Sequence, residues 1–281
     1  MTFDWSIGPR ATSDEQRATN DEQRPGMSNI RVLVLRAAGV NCETETAFAW
    51  ESAGALPDVQ HINVLRAEPR RLLDYQILTV PGGFSYGDDI AAGKILANQM
   101  MLFLGDALRE FCDRDRLVLG ICNGFQVLCK AGLLPGPGRL PPVTVTENLS
   151  RKYEDRWVHL DAGPTRCRFL EPGRRYHLPV AHGEGRVAVR EPADIDTLKS
   201  SGCAALRYAS ADGEAVEYPA NPNGSMGDVA GLCDPTGRIF GLMPHPERFI
   251  HITQHPEWTG GGVTEADGLR LFKTAVASMI S

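Results

Sequence analysis

Leu117-Val118-Leu119-Gly120-Ile121-Cys122-Asn123-Gly124-Phe125-Gln126-Val127-Leu128-Cys129-Lys130-Ala131-Gly132 reads as a buried strand that breaks abruptly into a helix. The apolar run Leu117–Ile121 has the character of a strand covered on both faces, and Phe125–Ala131 has helical spacing closed by Gly132. Between them lies G-x-C-x-G, the thiol counterpart of a nucleophile elbow, in which a strained turn lifts a reactive side chain off the sheet edge. Side chains at 120 and 124 would collide with such a turn. Helix amides just past Cys122 lower a thiol pKa and offer oxyanion donors, Asn123 N–H first. A buried cysteine beside a glycine turn is the plain alternative, but the spacing in a strand-to-helix context favours a nucleophile.

Outward from this unit the chain alternates short apolar runs with helical patterns. Ile30–Leu35 reads as a strand, Glu43–Ala53 as a helix stopped by Gly54, Ile62–Leu65 as a strand, Arg70–Tyr75 as a short helical piece and Gln76–Val80 as a strand ended by Pro81-Gly82-Gly83. A helix is predicted over Asp88–Phe111, with Gly93 its weak point. Strands alternating with helices imply βαβ units and an α/β fold: a single open, mostly parallel sheet flanked by helices. After Gly132 helix signals thin out. Val143–Glu147, Trp157–Asp161, Val187–Arg190, Ala204–Tyr208, Val229–Asp234 and Ile239–Met243 read as strands, and Gly268–Met279 as a closing amphipathic helix. These are β insertions in one domain, since no composition break divides the chain.

The chain has 281 residues, of which 42% are hydrophobic and 23% charged. That is one large domain or two modest ones on a prior of about 150 residues each, with no need of disulfide or metal staples. No apolar run reaches the roughly 18 residues of a membrane span. A net charge of −6 without a long basic block argues against a nucleic-acid surface. The seven cysteines are odd in number and form no C-x-x-C pair, which fits reduced thiols in the cytoplasm and signals neither a zinc site nor a redox pair. Residues 1–26 stand apart. Asp14-Glu15-Gln16-Arg17 recurs as Asp21-Glu22-Gln23-Arg24 without apolar periodicity, so this extension is expected to be disordered, with the folded domain spanning 27–281 and Met27 a candidate start.

A cysteine nucleophile needs a base. His245 follows an apolar strand in Met243-Pro244-His245-Pro246-Glu247, where the prolines favour extended backbone. Residues two apart then share a side, so Glu247 can fix the imidazole as the third member of a triad. His182-Gly183-Glu184-Gly185 repeats the His–Glu spacing on a looser backbone and reads as a binding loop or turn. Pro81-Gly82-Gly83-Phe84-Ser85-Tyr86-Gly87-Asp88 is a second glycine turn at a strand's carboxyl end, where α/β ligands collect, and offers an amide at Gly83 or Phe84 as an oxyanion donor. Gly87–Lys94 fails as a P-loop because Ile95 stands where Ser or Thr is required, and Gly136-Pro137-Gly138 does not continue as a dinucleotide fingerprint. The chemistry indicated is acyl transfer through a thioester, without an energy source in this chain.

Pro81-Gly82-Gly83, Gly120-x-Cys122-x-Gly124-x-Gln126 and Pro244-His245-Pro246-Glu247, in that order, resemble the triad-type, or class I, glutamine amidotransferases. Gly83–Asp88, Cys122–Gln126, His182–Gly185, Asn221-Pro222-Asn223-Gly224-Ser225 and His245–Arg248 resemble one branch, the glutaminase subunits of phosphoribosylformylglycinamidine synthases, over roughly residues 28–280. That resemblance implies that Cys122 attacks the glutamine carboxamide, His245 passes the proton to departing ammonia and Glu247 orients His245. It implies that Gly83 and Asn123 amides hold the oxyanion and that Gln126 helps grip glutamine. It further implies no cofactor or metal in this chain, ATP and magnesium on a separate synthetase subunit, and a small bridging subunit completing the complex. A contact face near the Cys122 mouth is expected, with Asn148, Arg151 and the Asn221–Ser225 loop as candidates. The competing readings are a glutaminase of another pathway, a protease- or deglycase-like hydrolase, in which a histidine normally follows the nucleophile, and a catalytically silent regulatory subunit.

Overall fold

The computed structural model describes residues 28–88, 91–136, 140–212 and 216–280; the extension 1–26 and the start at Met27 lie outside them. The first strands form because their sequences bury both faces. β1 (Arg31–Arg36), β3 (Ile77–Val80), β4 (Leu117–Ile121) and β11 (Ile239–Leu242) are runs of aliphatic residues with almost no exposed position. With β2 (Leu56–His61) at the edge they make a parallel array in the order β2-β1-β3-β4-β11. β10 (Val229–Cys233), β9 (Leu206–Ala209), β6 (Glu154–Ala162) and β7 (Arg175–His182) extend this sheet through antiparallel pairs. Only β10 and β6 therefore run against the rest. A small antiparallel pair, β5 (Val143–Thr146) with β8 (Arg186–Val189), stands apart.

Helices α1 (Glu43–Ser52), α3 (Lys94–Asp113), α4 (Asn123–Lys130) and α6 (Asp267–Ile280) flank the sheet, with the short helices α2 (Ile62–Ala67) and α5 (Pro192–Ser200) on connections. Trp50 on α1 is fully buried, meets Phe272 of α6 edge-on at 4.8 Å and donates its indole N–H to Thr79 of β3. This one side chain joins both helices to the sheet, an aromatic contact worth about 1 kcal/mol beyond its buried area.

Several expectations need correction. The expected strand Ile62–Leu65 is helix α2: His61 caps it, its Nδ1 accepting from Asn63 N–H, and the strand is the preceding segment, whose Pro57 is tolerated at a sheet edge. The helix expected from Asp88 begins at Lys94, after Gly93. β7 went unread because Pro179 interrupts it, again at an edge. α5 carries signals that were available, Pro192 in its first turn and a capping box between Glu191 and Asp194.

Candidate active site

β2 lies on one side of β1 and β3 on the other, so the strand order reverses between β1 and β3, and clefts form beyond the carboxyl ends of strands at such a point. Four connections meet there: Asn41-Cys42 after β1, Gly82–Phe84 after β3, Cys122 after β4 and His245 after β11. The far end of β7 returns to the same place, where His245 N–H donates to Pro179 O at 2.8 Å. Together they bound a cavity of about 430 Å³ with Cys122 and His245 in its wall, within the usual range for small-molecule sites. A groove of about 520 Å³ around Arg31, Arg70 and Asp74 lies at the opposite end of β1, far from these residues, and has no nucleophile.

Cys122 holds φ 51° and ψ −106°, a left-handed conformation that a non-glycine residue adopts only under constraint. This is the strained elbow expected from the sequence. The glycine requirement at 124 has a different origin from the one anticipated: a Cβ there would lie 1.8 Å from Val80 O, so the neighbouring strand, not the turn itself, excludes a side chain. Gly82 does the converse. A Cβ at Gly82 would meet the His245 ring at 2.9 Å, Cys42 Sγ at 3.2 Å and Cys122 Cβ at 3.5 Å, so the absent side chain is the space into which these three groups converge.

His245 Nδ1 and Glu247 Oε1 are 2.6 Å apart and both side chains are buried. Burial opposes charging of the imidazole, but Glu247, with the Cys122 and Cys42 sulfurs beside the ring, outweighs it and holds His245 well above its ordinary pKa. Its Nε2 makes no hydrogen bond of ordinary geometry and remains available on the sulfur side. Burial pushes Cys42 up, Cys129 to about 12 and Cys112 to about 11. Cys42 nonetheless lines the cavity and accepts from Arg248 Nη2 at 3.4 Å, a placement nothing in its own sequence context signalled. The donor atoms of Cys42, His245 and Glu247 lie within 4.8 Å of one another, the one group among the described residues spaced for a metal ion.

Gly83 lines the cavity, and Asn123 opens helix α4 directly after Cys122. The Asn123 side chain ties the elbow to the glycine turn, its Oδ1 accepting from Ser85 N–H at 3.2 Å and its Nδ2 donating to Gln126 Oε1 at 2.9 Å. Gln126 also lines the cavity, with its Nε2 engaged by Glu184 O. His182 is buried and pushed down to about 3 by burial and by the nearby His245, so it stays neutral and is no second base. Of the residues expected on the contact face, Arg151 is exposed, whereas Asn148, Asn221, Asn223 and Ser225 are buried.

Residues 29–278 match the CobB/CobQ-like glutamine amidotransferase domain family. The chain is similar to phosphoribosylformylglycinamidine synthase subunit PurQ of Dehalococcoides mccartyi, at 46% identity over 89% of this chain and 98% of that one. It is similar to the same subunit of Methanococcus maripaludis at 43% identity, over 88% of this chain and 96% of that one. Among solved structures it resembles a chain of PurLQS from Thermotoga maritima, with a TM-score of 0.68 and 28% identity over 90% of this chain and all of that one. A glutamine amidotransferase from Thermotoga maritima shares the fold at a TM-score of 0.52 and 15% identity, over 90% of this chain and 99% of that one. The chain belongs to the CobB/CobQ-like glutamine amidotransferase family, in its PurQ branch, the glutaminase subunits of phosphoribosylformylglycinamidine synthase.

Proposed function

We propose that the chain hydrolyses glutamine and delivers the ammonia to a synthetase subunit, which uses it to convert formylglycinamide ribonucleotide to the amidine in purine biosynthesis. The observation that carries the chemistry is the convergence of Cys122 and His245 over the bare face of Gly82 in the wall of one cavity, with Glu247 bonded to the imidazole from behind. The Cys122 sulfur attacks the carboxamide carbon of glutamine and the carbonyl π electrons move onto oxygen. Amides of Gly83 and Asn123 stabilise that oxyanion. His245, held protonated beside Glu247, gives its proton to the amide nitrogen, the C–N bond breaks and ammonia leaves. Water, deprotonated by the now neutral imidazole, attacks the γ-glutamyl thioester; the carbon–sulfur bond breaks, glutamate leaves, and the Cys122 thiolate stands again beside protonated His245 for the next turnover. Gln126 contributes to the wall that receives glutamine. No step passes through a metal or cofactor in this chain; ATP and magnesium belong to the synthetase subunit, and the small bridging subunit completes the assembly in the cytoplasm. Partnership with such subunits is supported by the PurLQS relative. No helix among the described residues is long and apolar enough to cross a membrane.

The test is mass analysis after exposure to diazo-oxo-norleucine, a glutamine-mimicking electrophile. Single labelling at Cys122, blocked by excess glutamine, is expected. Labelling scattered over other cysteines, or none with the synthetase subunits present, overturns the glutaminase reading in favour of a silent regulatory subunit.

A further inference from the structure

The loop His182-Gly183-Glu184-Gly185 lines the candidate active-site cavity through residues 182 to 184. Two glycines leave it with little side-chain packing of its own, so hydrogen bonds must set its shape. Those bonds converge on one residue outside the cavity. Asn148 is 1% exposed, and its amide is fully used. Its Nδ2 donates to His182 O and to Lys152 O, each at 2.8 Å, while its Oδ1 accepts from Gly185 N–H at 3.0 Å and lies 3.2 Å from His182 Nδ1. Its backbone N–H donates to Gly183 O at 2.9 Å.

Asn223 closes the network from the other side. Its Nδ2 donates to Gly185 O and to the Tyr208 hydroxyl, both at 2.9 Å, and lies 3.5 Å from His182 Nε2. An amide oxygen can only accept, so His182 Nδ1 carries the proton towards Asn148 Oδ1 and Nε2 is the bare nitrogen beside Asn223. The imidazole is thus a neutral spacer locked between two asparagines. Leu149 N–H donates to Asn223 O at 3.0 Å, which links the two asparagine segments directly. On the inner side, Gln126 of the elbow helix donates to Glu184 O, so the clamped loop is also tied to the helix that carries Cys122.

We infer that Asn148 is a positioning residue for glutamine, which through His182 and Asn223 fixes the height of the 182–185 loop over the cavity without touching the substrate. The inference rests on the glutaminase reading above. Loss of the clamp lets the loop drift, which weakens glutamine binding and leaves the Cys122–His245–Glu247 chemistry in place. A residue serving only overall stability would reduce the folded fraction, lowering apparent kcat with KM unchanged.

The experiment uses the complex assembled with its synthetase and bridging subunits. Glutamine-dependent and ammonia-dependent synthesis are compared for the unsubstituted chain, Asn148→Ala and Asn148→Asp. The aspartate variant keeps the acceptors for Gly185 and His182 and removes both donors, and so carries the test if alanine does not fold. The expected result is a rise of at least about tenfold in KM for glutamine, with kcat within about threefold and ammonia-dependent synthesis unchanged. A fall in kcat at constant KM, or no change in either, overturns the inference. Glutamine turnover by the unsubstituted complex is the separate control on the functional reading itself.

Discussion

The His245–Glu247 bond at 2.6 Å is the link in the site with fewest substitutes. Glu247 Oε2 has no hydrogen-bond partner, so the carboxylate's principal contact within the site is the imidazole it orients. Replacing it by an amide keeps the shape and removes the charge that offsets burial of a protonated ring. Glu247→Gln is therefore expected to lower kcat for glutamine hydrolysis by about 10²- to 10⁴-fold with little change in KM, the pattern of a lost transition-state interaction. Steady-state glutamate release checks this, and a KM effect alone would mean that Glu247 binds substrate instead. The same residues were legible from their spacing, although the structure supplies other reasons for it: Pro246–Arg248 is a short 3-10 turn and not the extended backbone expected, and the glycine at 124 answers to Val80 O of the neighbouring strand. Cys42 was not legible. It reaches the site only because Gly82 leaves a hole, and a gap in one loop gives no signal in another.

At the level of elements, the buried polar segments decide acid behaviour. Burial keeps His182 neutral down to about pH 3, and burial together with His159 and His255 keeps His177 neutral to about pH 4. His159, stacked on His177 at 4.2 Å, is lowered as well. In the unfolded chain all three take up protons below about 6.5. The unfolded state therefore binds more protons as pH falls from 6.5, and stability rises with pH across the window from about 4 to 6.5. His245, raised in the fold, works against this between about pH 7 and 6, where the unfolded ring is still partly neutral, and drops out below, leaving the three lowered rings to set the slope. Denaturant unfolding at pH 7, 6 and 5 should give falling stability, by up to about 1.4 kcal/mol per pH unit for a fully buried group such as His182. A flat profile would show that these rings charge in place.

The parallel strands were readable because burial on both faces leaves a continuous apolar run, as in Ile30–Leu35. The edge strands β2 and β7 were not, because Pro57 and Pro179 carry the signature of a turn while occupying positions that need no ladder donor. The Asn148 clamp was hidden for a related reason. An asparagine reads as surface until its partners in a loop 34 to 37 residues further on are seen to enclose it.

For the whole molecule, the placement of chemistry at one end of the sheet restricts where partners can sit. Ammonia released into water at neutral pH is mostly protonated and loses its nucleophilicity, so the acceptor subunit has to cover the mouth of the cavity. That mouth has exposed apolar side chains where a solvated rim would carry charge: Phe84 is 49% and Tyr153 55% exposed, and both line the cavity. Leu149, 69% exposed, and Tyr218, 63%, line a second hollow of about 440 Å³. Exposed aromatic side chains beside a reactive cavity, with Glu184 and Arg248 also in its lining, make a mixed surface of the kind a stable partner would bury. The amino-terminal ends of the strands instead present Arg31, Arg70, Arg71 and Glu68, a charged and well-solvated face. Hydroxyl-radical footprinting of the free chain and of the assembled complex separates the two faces. Protection of Phe84, Leu149, Tyr153 and Tyr218 on assembly, with Arg31 and Arg70 unchanged, is expected. Protection confined to the arginine face would mean that ammonia escapes into solvent before it is used, and glutamate would then form in excess over product.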